Sequence, residues 1–178
     1  MATQTKWVSD PPHSEISFRA KHMMITNVNG SFRKFKVEAG SDGSDFIGAS
    51  TRVTIDAESI FTNATDRDNH LKSPDFLDVE KFKEIIFTGK SLTTLGDNRF
   101  KLKGDLKIRD IKREVDLDVE FGGINKDPWG KEKAGFSVTG KINRKDWGLN
   151  WNAALETGGV LVSDEIRISA EIQLEKQE

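Results

Sequence analysis

At 178 residues the chain is long enough for one domain with a sizeable core and too short for two comfortable ones. Lys and Arg number 27 against 29 Asp and Glu, a formal charge of -2 that gives no overall pull toward nucleic acid or an anionic membrane. Cysteine is absent, which excludes disulfides, thiolate nucleophiles and zinc–thiolate sites.

The opening "MATQTKWVSDPP" has no apolar stretch of the secretory kind, so a cytoplasmic location is the expectation. No run of about 18 apolar residues follows, and no transmembrane segment is expected. Period-two alternation then dominates the chain. "EISFRAKHM" puts Ile16, Phe18, Ala20 and His22 on one side. "GSFRKFKVEAG" carries Phe32, then Phe35 and Val37, with a change of parity near Lys34 that predicts a bulge. "ASTRVTID" aligns Ala49, Thr51, Val53 and Ile55. A helical interruption comes next, near residues 62–72, with Thr62 or Thr65 as N-cap and Pro74 disfavouring helix at Ser73.

Strands resume with "EIIFTGKSL" (Ile85, Phe87, Gly89) and "RFKLKGDLKIRD" (Phe100, Leu102, Gly104, Leu106, Ile108). "REVDLDVEFGG" follows with Val115, Leu117, Val119 and Phe121, and "KAGFSVTGKIN" with Ala134, Phe136, Val138, Gly140 and Ile142. "DEIRISAEIQLE" closes the series with Ile166, Ile168, Ala170, Ile172 and Leu174. Eight amphipathic strands on short turns predict an all-β chain: one antiparallel up-and-down barrel spanning residues 1–178 as a single domain.

Such a barrel either fills its interior with side chains or leaves room for one small ligand. The small inward residues Ala20, Ala49, Gly89, Gly104, Ala134, Gly140 and Ala170 favour room, although inward glycines also serve barrel bends. Shared parity assigns Phe18, Ala20, His22, Phe32, Val53, Phe87, Leu102, Leu117, Phe136, Val138, Ile168 and Ala170 to the lumen.

Little in the sequence resembles chemistry. His13, His22 and His70 lack metal-binding spacing, and in "DRDNHLKSPDF" Leu71 stands where a calcium loop needs glycine. No nucleophile elbow or phosphate-cradling glycine loop occurs, so neither catalytic residues nor a metal or cofactor are assigned. Arg67, Asp68, His70, Leu71 and Phe76 are read as an ion-paired element at the barrel mouth, with Trp147 and Trp151 of the late loop "DWGLNWNAALETGG" beside it. Two alternatives stay open: an enzyme using His70 or His22 on a hydrophobic substrate, and an interaction module with a filled barrel.

Several stretches, taken in order, resemble the YceI-like, polyisoprenoid-binding family. They are "WVSDPPHSEISF" (7–18), "KHMM" (21–24), "VNGSF" (28–32), "RDNHLKSPDF" (67–76), "IIF" (85–87), "GDLKIR" (104–109) and "RKDWGL" (144–149). The resemblance implies a lipocalin-like barrel with a helical segment by one end and an elongated apolar lumen for a long-chain isoprenoid or fatty lipid. It also implies a homodimer. Many relatives are secreted to the periplasm, a location that does not transfer to this chain.

Overall fold

Pro11 and Pro12 interrupt the first strand of the fold, because neither has an N–H to contribute to a ladder. The chain leaves β1 (Thr5–Ser9), makes a 3-10 turn over Pro11–His13 and resumes as β2 (Glu15–His22). The computed structural model describes residues 4–153, 155 and 161–178. It continues with β3 (Thr26–Phe32), β4 (Phe35–Asp42), β5 (Asp45–Asp56), β6 (Ile60–Phe61), the helix α1 (Thr65–Lys72) and β7 (Glu84–Gly96). Four long strands follow: β8 (Arg99–Ile108), β9 (Ile111–Lys126), β10 (Glu132–Asn143) and β11 (Val162–Lys176).

All pairings are antiparallel, and they run around a ring β1–β4–β5–β7–β8–β9–β10–β11. The ring closes where β11 pairs back onto β1, with Trp7 opposite Lys176. β11 also pairs β2, with Phe18 opposite Ile168, and β2 pairs β3. Thus β1 with β2, and β3 with β4, are two halves of single bent strands, and the barrel has eight strands in all. At the bend the Ser14 hydroxyl stands in for the missing backbone, accepting from Gln173 N at 3.1 Å. The Asp10 N–H donates to Gln173 O at 2.8 Å.

Two local expectations are corrected. The parity change near Lys34 is a break between β3 and β4 rather than a bulge in one strand, and β1 lies ahead of the first strand expected. Neither Thr62 nor Thr65 caps α1; Ala64 occupies the cap position without a side-chain bond, because Thr62 is engaged elsewhere. The helix does end at Lys72, before Ser73 and Pro74, where the proline ring disfavours a helical residue in front of it.

One end of the barrel, beneath the β4–β5, β7–β8 and β9–β10 turns, is sealed by aromatics. Phe46 lies 5.3 Å from Trp7, 5.5 Å from Phe121 and 5.0 Å from Phe136 between ring centroids. The buried Trp7 indole N–H is satisfied by Ser41 Oγ at 2.8 Å. The other end carries the β2–β3 and β8–β9 turns and α1. Between the two ends, inward residues of β7 and β8 (Ile85, Phe87, Leu102, Leu106) are buried; on β2, β10 and β11 Ile16, Ala134, Ile172 and Leu174 are buried, while Phe18, Ala20, Val138, Ile166, Ile168 and Ala170 are half-buried.

Candidate functional site: an apolar lumen under a helical lid

The barrel encloses an interior cavity of about 620 Å³. Because successive strand side chains point to opposite faces, every second residue reaches it. Phe18, Ala20 and His22 come from β2, Phe32 from β3, Val53 from β5, Phe87 from β7 and Leu102 from β8. Leu117 comes from β9, Phe136 and Val138 from β10, and Ile168 and Ala170 from β11. All the residues assigned to the lumen by parity therefore stand on its wall. Phe46 and Leu174 sit toward the sealed end, and Ile60, Leu77, Leu149 and Ile166 extend the wall.

The small inward residues do not make this space in the way the sequence suggested. Ala134 is fully buried, and a Cβ placed on Gly104 would lie 2.6 Å from the Phe87 ring. The room at Gly89 is occupied by the Thr51 side chain and that at Gly140 by Leu117. Of the small residues, Ala20, Ala49 and Ala170 line the cavity.

At the mouth, α1 and its flanks are held by a short relay. Asp68 is buried and accepts from both the Thr62 N–H (2.8 Å) and the Thr62 hydroxyl. The Thr62 hydroxyl in turn accepts from Arg67 Nε at 2.8 Å, and Arg67 Nη2 donates to Thr62 O at 2.6 Å. His70 bonds Asp75 through Nε2 at 2.9 Å, and its ring meets Trp151 edge-on at 4.5 Å and Phe76 at 5.1 Å. Leu71 and Phe76 complete the lid's apolar underside.

Two assignments at the mouth are corrected. Asp68 does not line the cavity; its carboxylate satisfies Thr62, so the carboxylate paired within this element is Asp75, with His70, and not Asp68. Trp147 is 1 % exposed and belongs to the packing beneath the β8–β9 turn, where its indole N–H donates to Leu106 O at 2.8 Å. Residues 154 and 156–159 of the expected late loop lie outside the described residues.

Sequence reasoning missed Arg144, which is 3 % exposed and holds the late loop in place. It donates to Leu149 O (2.6 Å), Trp151 O (2.8 Å) and Ser163 O (2.9 Å). Burial pulls its pKa below the usual arginine value, with Asp164 opposing at 3.9 Å. A lone arginine beside a turn carries no local signal of that role. Its bonds reach carbonyls 5, 7 and 19 residues further along the chain, which only the path of the loop brings to it. Among the described residues no three His, Asp or Glu side chains converge as a metal site would require.

Comparison with known proteins agrees with this architecture. The YceI-like domain matches residues 7–174. The UPF0312 protein SA2479 of Staphylococcus aureus strain N315 is 42% identical over 167 residues, covering 93% of this chain and 95% of the relative. The crystal structure of the Campylobacter jejuni YCEI protein superposes with a TM-score of 0.77 at 32% identity, covering 89% of this chain and 90% of that one. A polyisoprenoid binding domain from Saccharophagus degradans, implicated in plant cell wall breakdown, has a TM-score of 0.67 at 12% identity over 98% of this chain and 100% of its own. At that identity it speaks for the fold alone.

Proposed function

Since the chain belongs to the YceI-like domain family and encloses an apolar lumen, we propose that it binds a long-chain isoprenoid or similar amphiphilic lipid there, as a non-enzymatic carrier, store or sensor. The observation that carries the reading is a cavity of about 620 Å³ walled by aliphatic and aromatic side chains, with ionisable groups gathered at the mouth. That size falls in the range of sites that engulf a small-molecule ligand. Each buried methylene contributes about 0.8 kcal/mol, so a dozen chain carbons offset association costs of several kcal/mol without any directional contact. Binding rather than turnover is supported by the use of the mouth groups: Asp68 and Arg67 hold Thr62, and His70 is bonded to Asp75.

The test is organic extraction of the purified protein with mass spectrometry, followed by titration of the delipidated protein with prenyl and acyl probes. Co-purified long-chain lipid, or saturable probe uptake at one site per chain, is the expected result. Neither extractable lipid nor probe uptake would overturn the reading.

A further inference from the structure

We infer that the lumen takes amphiphiles whose head group is anionic, a carboxylate or a phosphate, and that Arg67 seats that head at the mouth. The inference rests on the lipid-binding reading above. Arg67 lines the cavity, yet among the described residues it has no carboxylate partner, although Asp66 and Asp68 flank it in sequence. Asp68 is spent on Thr62, and Thr62 fixes the arginine through Nε and Nη2. Nη1 is left without a partner among the described residues.

The anchors of this fork are themselves immobilised: Thr62 is 4 % exposed and Asp68 8 %. Most of the rotamer freedom an arginine loses on binding is therefore already lost before a ligand arrives. Arg67 itself is exposed at the mouth, so its advantage is a guanidinium held in one orientation whose fork matches the oxygens of a carboxylate or phosphate. The other arginine on the wall, Arg144, is consumed by loop carbonyls, and His70 by Asp75. Lys21 is a second cation on the cavity lining with no carboxylate partner among the described residues, and among those residues Asp66 is the one carboxylate on the wall. An alcohol or ester head would occupy the same place without neutralising this excess.

The experiment compares ligands of one chain and two heads on the delipidated protein: oleate against oleyl alcohol, and geranylgeranyl phosphate against geranylgeraniol. The anion is expected to bind about tenfold or more tightly than its alcohol, the scale of one charge-assisted hydrogen bond. Arg67→Gln should remove that preference by weakening the anion far more than the alcohol, while Arg67→Lys, which keeps the charge and loses the fork, should retain part of it. Preference within only one of the two pairs names the head as carboxylate or phosphate. Equal binding of anion and alcohol by the parent protein, or equal weakening of both by Arg67→Gln, overturns the inference and leaves lipid binding standing. Failure of every ligand to bind overturns both.

Discussion

Lys133 shows how a single side chain can tie a broken strand to the rest of the barrel. Its ammonium lies 2.7 Å from Asp10 Oδ2, just after β1 ends, and 2.8 Å from Glu175 Oε2 on β11. Lys133 and Asp10 are only 13 % and 14 % exposed, so the pair is better shielded than the exposed Lys101–Asp118 and Lys90–Glu114 bridges on the barrel exterior, which contribute little. The hydrogen bond from Lys133 holds the Asp10 carboxyl below its usual range against the opposing effect of burial, with His13 assisting. A carboxylate depressed in the folded state stabilises it above the unfolded value and loses that contribution as pH falls through the folded one. The window is therefore below about pH 4. Lys133 is raised, chiefly by its bonds to Asp10 and Glu175, so its share is present at neutral pH and fades only above the ordinary lysine range. Asp10→Asn should cost about 1 kcal/mol at pH 7 and flatten the acid limb of a stability profile. Urea midpoints between pH 2 and 7 test this; a parallel acid limb in the variant would show that the pair carries no such linkage.

Two hairpin turns that each place two successive non-glycine residues at positive φ differ in sequence. Between β7 and β8 the residues with positive φ are Asp97 and Asn98, types that tolerate the left-handed region. Between β2 and β3 they are Met23 (φ 53°) and Met24 (φ 62°), closed by Ile25 N to His22 O at 3.2 Å. Methionine gains nothing locally in that conformation, and Met24 and Ile25 are exposed at 57 % and 77 %. Met24→Gly should relieve the Cβ strain, less the extra entropy of glycine in the unfolded chain, for a net gain of about 0.5–1 kcal/mol. The thermal midpoint should rise by about 2 °C for a chain of this size. A midpoint that falls would mean the methionine side chain contributes more in this turn than its backbone conformation costs.

For the molecule as a whole, the decisive property is that the barrel interior keeps an open cavity lined from all around the ring. Ala170 stands on the cavity wall, opposite Val138 on β10 and Ile16 on β2. Ala170→Phe should therefore place its ring in the cavity at little cost, leaving the lipid-free thermal midpoint nearly unchanged, while occluding the path of a long chain. In a close-packed interior the same change costs about 1–3 kcal/mol through overpacking. Thermal unfolding of delipidated protein and the lipid content after expression are to be measured together, because bound ligand itself raises the midpoint. A clear drop in the lipid-free midpoint would show that the ring meets packed neighbours rather than open space.

What the sequence determined by itself was the alternation. Strand parity is a two-residue property, which is why Phe18, Val53, Leu102 and Ile168 could be placed on the wall from spacing alone, and why Pro74 marked the end of α1. The bent strands were harder to read. The five residues of β1 are too few to show a period before the prolines intervene, and the β3–β4 break looks like a bulge when the partner strands are unknown. Only the tertiary structure decided whether the interior is solid. A void is what remains after side chains from all the strands choose rotamers, and Thr51, Phe87 and Leu117 lean over the very glycines that suggested room. It also decided that Asp68 serves Thr62, that Trp147 packs beneath a turn and that Arg144 holds the late loop. The Trp147 bond needs Leu106, 41 residues away, brought beside it by the packed barrel, while the Asp68 and Arg144 bonds close over a few residues through loop and side-chain conformations that alternation does not fix.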